Sequence, residues 1–290
     1  MKSDSIRRAL LDLIRLRSGD TEGQWLEHCL VDASRDLDGV LTELSKRFSK
    51  RHLIAGFSER SSAVLMTQLG PMPIGHWRTD RAARSWLLAT LSASTSAPFK
   101  QLFSYYESGD TETRIATLLA INLVDDTDSA QGMMLIHDAG RTYLDELMDA
   151  AWCNHPFSTH HMSDVEYRKA VLKALFCDVE ISGFLRLDER ADAELAASLR
   201  DFADEREAAG RPVPDVLWPV LAMHPQPGVV ARLVGRLEHP LSAQRLVAAT
   251  SLRNARDARA LSFLEERLSR EDSPEVQAMI RAAIQASTNA

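Results

Sequence analysis

Apolar residues recur at helical spacing along almost the whole chain. Across residues 4–16, Ile6, Leu10, Leu11 and Ile14 fall on one stripe while Arg7, Arg8 and Arg15 lie elsewhere, the pattern of a helix with one buried face. Residues 25–48 repeat it with Leu26, Leu30, Leu37, Val40, Leu41 and Leu44. The period weakens between Ser49 and Trp77, where Gly56, Gly70, Pro71, Pro73 and Gly75 predict a long connection. It then returns in blocks. Thr79 precedes Ala82, Trp86, Leu87 and Leu91, Gly109-Asp110 precedes the stretch 112–124, and Thr127 or Asp128 opens the next. Period-two alternation, the mark of a half-buried strand, is nearly absent.

Local signals agree with the period. Ser163-Asp-Val-Glu166 fits a capping box, in which serine and glutamate satisfy free amides at a helix start. Ser273-Pro-Glu places proline at the first helical position, where its missing N–H costs nothing. The fold class is therefore all-α. A weak repeat follows. Gly109 to Arg114 leads into Ala116, Leu118, Leu119 and Ala120, and His239 to Arg245 leads into Ala248, Ala249 and Leu252. Asp272 to Gln277 leads into Ile280, Ala282 and Ala283. Each is a polar turn, a capped start and an Ala/Leu face. The last two are about one helical-hairpin repeat apart, which predicts a HEAT-like α-solenoid of stacked helical hairpins.

Composition narrows the function classes. The 290 residues carry a formal net charge of −7, with 45% hydrophobic and 26% charged residues, which is ordinary for a globular protein. That charge disfavours a broad phosphate-binding face, so neither nucleic acid nor an anionic membrane is an expected partner. The local basic group Lys46, Arg47, Lys50 and Arg51 is better placed at the end of a helix. Cys29, Cys153 and Cys177 are odd in number and widely spaced, which predicts free thiols in a reducing compartment. No stretch reaches the roughly 20 apolar residues of a membrane span, and the N-terminus lacks a secretory pattern. A cytoplasmic protein is expected, with no cofactor.

Chemistry is harder to read. Residues 186–211 are dense in charge, and Asp201 and Glu205, four apart, share a helix face. Paired carboxylates do acid–base work only when burial or a like charge shifts one of them. A solvated face laced with ion pairs is the simpler account. His155, His160 and His161 crowd beside Asp164 and Glu166, residue types that ligate zinc or iron. This cluster supports an alternative reading as an all-α metal-dependent enzyme or ligand binder. Yet adjacent histidines point in different directions, so capping and surface roles compete with it. No nucleophile elbow, phosphate loop or GxGxxG is present. Trp77, Trp86, Trp152 and Trp218 read as core anchors, or as a stacking wall for an aromatic ligand.

One long block carries a resemblance. Arg141-Thr142, the Asn154-x-Pro156 turn, Val171-Leu-Lys-Ala-Leu-Phe176, Leu187-Asp-x-Arg190-Ala191 and Glu194-Leu-Ala196 occur in an order that resembles the EboA family. Asp201, Ala203, Glu205-Arg206, Ala208-Ala-Gly-Arg211 and Leu217-Trp218 extend it over roughly residues 80–235. Three departures stand out. The family's aromatic and Asn-Gln start to the VLKALF helix is Tyr167-Arg-Lys169 here, its usual histidine is Asp204, and its usual tryptophan is Glu207. The resemblance implies a bacterial gene set with a TatD-like hydrolase, a UbiA-like prenyltransferase, and sugar-phosphate-cyclase-like and isomerase-like enzymes. That set is linked to making or exporting a specialised metabolite, as in the sunscreen-pigment precursor pathway.

The expected organisation is thus an N-terminal helical region with its connection at 1–76, an EboA-like helical domain at 77–235, and HEAT-like repeats at 236–290. The expected role is a non-catalytic accessory or scaffold of an Ebo-type system. Its partners would be proteins of the same pathway or a small anionic metabolite. The candidate contacts are Arg141, Asn154, Lys173, Asp188, Arg190, Glu205, Arg206, Arg211 and Trp218.

Overall fold

The structure, a computed structural model, describes residues 2–224 and 227–288. It is built almost wholly from helices and divides into two compact units, the first ending at Leu185 and the second beginning at Arg186.

In the first unit, α1 (Ser3–Ser18), α2 (Asp20–Ala33), α3 (Leu37–Arg47) and α4 (Phe57–Arg60) lead to a hairpin of β1 (Val64–Thr67) and β2 (Gly70–Pro73). Then come α5 (Thr79–Ala93), α6 (Pro98–Ser108), α7 (Thr111–Ala120), α8 (Ser129–Arg141), α9 (Asp145–Trp152), α10 (Pro156–His161) and α11 (Asp164–Phe176). The apolar stripe of α1 is buried as its spacing requires, with Ile6, Leu10 and Ile14 fully enclosed. The stripe over residues 25–48 is split between α2 and α3 because the Asp36 carboxylate accepts from the Gly39 amide at 3.0 Å and starts a new helix.

Helices α5 and α7 pack on one another at the centre, with α1 and α3 against α5 and α6 and α9 against α7. Both are buried on most sides, small polar side chains such as Ser85, Ser92, Thr113 and Thr117 included. The buried charge on these helices is Arg84, whose guanidinium donates to the Thr113 hydroxyl at 3.0 Å and the Ser45 hydroxyl at 2.7 Å. Burial pulls its pKa below the usual arginine value. At the rim, Glu112 sits 2.9 Å from Arg81 and 3.1 Å from Arg78.

The long connection differs from its sequence reading, for it holds an antiparallel ladder that pairs Val64 with Pro73 and Thr67 with Gly70. Leu65 and Met72 face the core. Strands of four residues offer only two inward positions each, too few for alternation to register. The prolines of β2 are tolerated because an edge strand does not need every N–H. Gly75 closes the segment, since a Cβ there would lie 1.9 Å from the Arg60 carbonyl oxygen.

The second unit contains α12 (Leu187–Arg190), α13 (Ala193–Ala208), α14 (Leu217–Met223), α15 (Val229–Arg236), α16 (Ser242–Ala255), α17 (Leu261–Arg270) and α18 (Pro274–Thr288). Helices α14, α16 and α18 pack in succession, while α15 lies against α14 and α16, and α17 against α18. Trp218, Leu221, Leu233, Leu252, Leu264 and Ile280 form their common core.

A polar hub is buried beside that core. The Glu271 side chain has no exposed surface and receives Arg245 at 2.7 Å and Arg267 at 2.9 Å. It also accepts from the amides of Asp272 at 3.1 Å and Ser273 at 2.9 Å, at the start of α18. Arg245 donates further to the carbonyls of His239 and Pro240 at 3.0 and 2.9 Å. These hydrogen bonds hold the Glu271 carboxyl far below the ordinary carboxylate range. The three cysteines are free thiols, and burial pushes Cys29 up to about 11.

Candidate functional site

The site grows from the end of α8. Lys173, in the last turn of α11, donates to the carbonyls of Gly140 at 2.5 Å and Thr142 at 3.1 Å. A helix C-terminus carries unsatisfied carbonyls and partial negative charge, so an ammonium there is favourable twice over. Its charge also lies 5.1 Å from the centre of the Tyr143 ring. Two of the family-like motifs, Arg141-Thr142 and the VLKALF helix, are thereby held together.

Between them lies a cleft of about 440 Å³. Its floor is apolar, made by Ile136, Trp152, Met162 and Ala170, and its rim carries His137, Arg141, Glu166, Lys169 and Lys173. Trp152 is fixed from below by Phe184, ring centres 6.1 Å apart, and Phe184 in turn by the edge of Tyr167 at 5.6 Å. Gly140 lets the backbone of α8 rest on this aromatic, because a Cβ there would fall 2.7 Å from Trp152 Cζ2.

The rim is cationic within a net-acidic chain. Arg141, Lys169 and Lys173 face a single carboxylate, Glu166. Glu166 completes the capping box with Ser163 and lies 3.1 Å from His137 Nε2. The Ser163 hydrogen bonds, assisted by His137, keep its carboxyl below the usual range, so it stays ionised. Lys173 is engaged by backbone carbonyls, but the side chains of Arg141 and Lys169 are exposed and form no hydrogen bond or ion pair with any described residue.

Arg141 and His137 also border a second cleft, of about 460 Å³, with Tyr106, Arg114 and Asp138 on its far side. There the Arg114 guanidinium stands 5.4 Å from the Tyr106 ring centre. Burial, with the Asp138 charge, pushes the Tyr106 phenol upward, so it remains a neutral donor. An apolar floor under paired cations suits an amphiphilic anion, with the charged group on the rim and the carbon skeleton on Trp152.

The other candidates have different surroundings. Asn154 is half-buried in left-handed conformation, φ 55°, and its amide donates to Gly183 O at 2.6 Å, making it a turn residue. In the second unit Asp188 is exposed on α12 and accepts from the Glu189 amide at 3.1 Å. Arg190 is half-buried on the same turn, while Glu205 and Arg211 are exposed. Arg206 donates to Pro212 O at 2.7 Å and lies over Phe202. Trp218 is 0% exposed, with Arg236 4.9 Å above its ring. Asp201 is an exposed partner of Arg200 at 2.6 Å.

The histidines do not converge. His155 is completely buried; Nε2 lies 2.9 Å from Leu118 O, and Nδ1 accepts from the Ser158 amide at 3.1 Å, capping α10. His161 pairs with Asp126 at 2.7 Å, against the face of Phe157. His160 is exposed and meets His161 edge-on, Asp164 lies in the first turn of α11, and Glu166 belongs to the cleft rim. Among the described residues no group of three or more His, Cys, Asp or Glu is arranged to hold a metal ion.

Burial pushes His155 down to about 4. The unfolded chain takes up this proton near pH 6.5 while the folded one refuses it. Its stabilisation is therefore present above pH 6.5 and lost as pH falls towards 4. The expected loss is on the order of 3 kcal/mol. Urea melts at pH 7 and pH 4.5 on the wild type and a His155→Gln variant will check it. The difference between the two proteins must shrink as pH drops.

Sequence reading meets Lys169 only as a departure from the family pattern and not as a contact, although its i, i+4 relation to Lys173 puts both on one face of α11. It also leaves Ile136 and Met162 unmarked, because nothing in their spacing separates a cleft floor from ordinary core.

Among the described residues no helix is long and apolar enough to cross a membrane. The family model for the metabolite traffic protein EboA matches residues 31–222. No curated protein and no solved structure matches the chain.

Proposed function

The chain belongs to the EboA family, and from that premise we propose that it is a non-catalytic accessory protein of an Ebo-type specialised-metabolite system. In this reading it holds an acidic pathway metabolite in the cleft between α8 and α11. The observation that carries the reading is the pair of exposed, unpartnered cations, Arg141 and Lys169, above the apolar Trp152 floor. The family description as a metabolite traffic protein supports it. The charged surface of α12 and α13, with Asp188, Arg190, Glu205, Arg206 and Arg211, is the proposed seat for a pathway protein. The helical pairs from α14 to α18 serve as a frame stacked in the HEAT manner.

Hydrogen bonds to a charged ligand group contribute about 1.5–3 kcal/mol each. A chain with Arg141→Glu and Lys169→Glu should therefore lose an acidic ligand by at least about tenfold. Its melting temperature should hardly move, since both side chains are exposed. The test is to co-express the tagged protein with the other proteins of its system and identify what copurifies by mass spectrometry. The wild type should retain an acidic small molecule, unaltered on incubation, and the double variant should not. Equal retention by both would remove the cleft from the proposal, and turnover by the purified protein alone would remove the non-catalytic role.

A further inference from the structure

The second unit contains a cavity that the accessory role does not use. It measures about 570 Å³ and is lined by Met223, Arg253, Asn254, Arg256, Ala282 and Gln285, among others. These residues lie beyond the stretch 31–222 matched by the family model. The cavity belongs to α14, α16 and α18, at the ends where α16 and α18 finish.

Most arginines of this unit have partners, although the exposed Arg211 side chain forms no hydrogen bond or ion pair with any described residue. Arg236 meets Asp215, Arg245 and Arg267 meet Glu271, Arg259 meets Asp257, and Arg270 meets Glu238, all between 2.6 and 2.9 Å. Arg232 is paired with Asp204. The guanidinium groups of Arg253 and Arg256 form no hydrogen bond or ion pair with any described residue, and both are exposed at the cavity. Arg253 lies in the last turn of α16 and Arg256 is its C-cap, and both line the cavity.

The backbone at Arg256 is unusual as well, in a conformation it shares with Asn154, Asp178 and Arg186. Arg256 is the C-cap of α16 and adopts φ 50°, ψ 40°, the left-handed conformation in which glycine normally ends a helix. An arginine is strained there. A cation near a helix C-terminus offsets the macrodipole, which explains Arg253 but not the left-handed Arg256. Two forked guanidiniums beside Asn254 and Gln285, with Met223 and Ala282 alongside, match a small oxyanion carried on a short carbon skeleton.

We propose that the Arg253–Arg256 cavity is a binding site for the oxyanion group, phosphate or carboxylate, of a small metabolite. Binding of inorganic phosphate and, separately, of malonate to the full chain should be followed by calorimetry at low salt. The variants are Arg253→Ala and Arg256→Gly. At least one of the two anions should bind the wild type, and each variant should weaken that binding at least about tenfold. Preference for phosphate would point to a phosphoryl ligand, and preference for malonate to a carboxylate. Arg256→Gly relaxes the backbone, so it should leave thermal stability equal or higher while binding is lost. A loss of stability in that variant, unchanged binding in both variants, or binding of neither anion to the wild type would overturn the proposal. The Arg141→Glu and Lys169→Glu chain should bind here whichever anion the wild type binds, so this site and the first-unit cleft can fail separately.

Discussion

Replacing Glu271 by alanine is expected to destabilise the second unit by about 3–5 kcal/mol, the cost of leaving buried charge without its partner. Two arginines converge on this carboxylate, and two amides at the start of α18 also donate to it. Alanine would leave Arg245, which is 6% exposed, with only the Asp272 carboxylate and the His239 and Pro240 carbonyls as partners. Glu271→Gln keeps the shape and part of the hydrogen bonding, so it should cost less than alanine but remain clearly destabilising. The pH dependence has a definite sign. The folded carboxyl lies far below its unfolded value of about 4.3. Its stabilisation is therefore complete above that value and is lost progressively as pH falls below it. Urea denaturation at pH 7 and pH 3 should show the gap between wild type and Glu271→Ala narrowing in acid. A gap that is constant with pH would show that the carboxylate charge is not what holds the hub.

The second large effect is expected at Trp218. Its side chain is fully enclosed in the core shared by α14 and its neighbours, and truncating a buried tryptophan costs about 3–5 kcal/mol. Trp218→Phe retains most of the apolar volume and should cost much less, although the Arg236 guanidinium loses its better aromatic partner. The same measurement bears on function. If Trp218 acts only through packing, the folded Trp218→Phe protein should retain the wild-type ligand in full amount. Reduced retention at unchanged stability would give the indole a direct contact instead.

Much of the helical architecture was legible because burial follows spacing. Ile6, Leu10 and Ile14 needed only their period to be placed inside. The capping box at Ser163 and the starts at Asp110 and Asp128 could be read from side chains that bond their own neighbouring amides. The β-hairpin could not, since what fixes it is long-range: Leu65 and Met72 reach the core, and Gly75 clears the Arg60 carbonyl. The cleft was legible in pieces. Arg141 and Lys173 stand out as members of motifs, but the bond from Lys173 to Thr142 O spans 31 residues of chain. His155 was legible only in part. Capping was among the roles its sequence offered, and it does cap α10, but its second partner, the Leu118 carbonyl, is 37 residues away. Residue type announces what a side chain can do, and only the packing says which partner it has.

The contact between Gly140 and Trp152 has a thermodynamic consequence. Because the backbone of α8 rests on the indole and Lys173 ties its last carbonyls to α11, the cleft keeps its shape while empty. A molecule settling there does not have to order a loop or freeze a helix end, so little of its contact energy is spent on organising the protein. On the proposed reading, a carbon skeleton resting on this floor should give only a small negative heat-capacity change, because Trp152 and Met162 are 5% and 6% exposed and Ile136 is enclosed. Selectivity would then come from the outline of a rigid basin and the reach of Arg141 and Lys169.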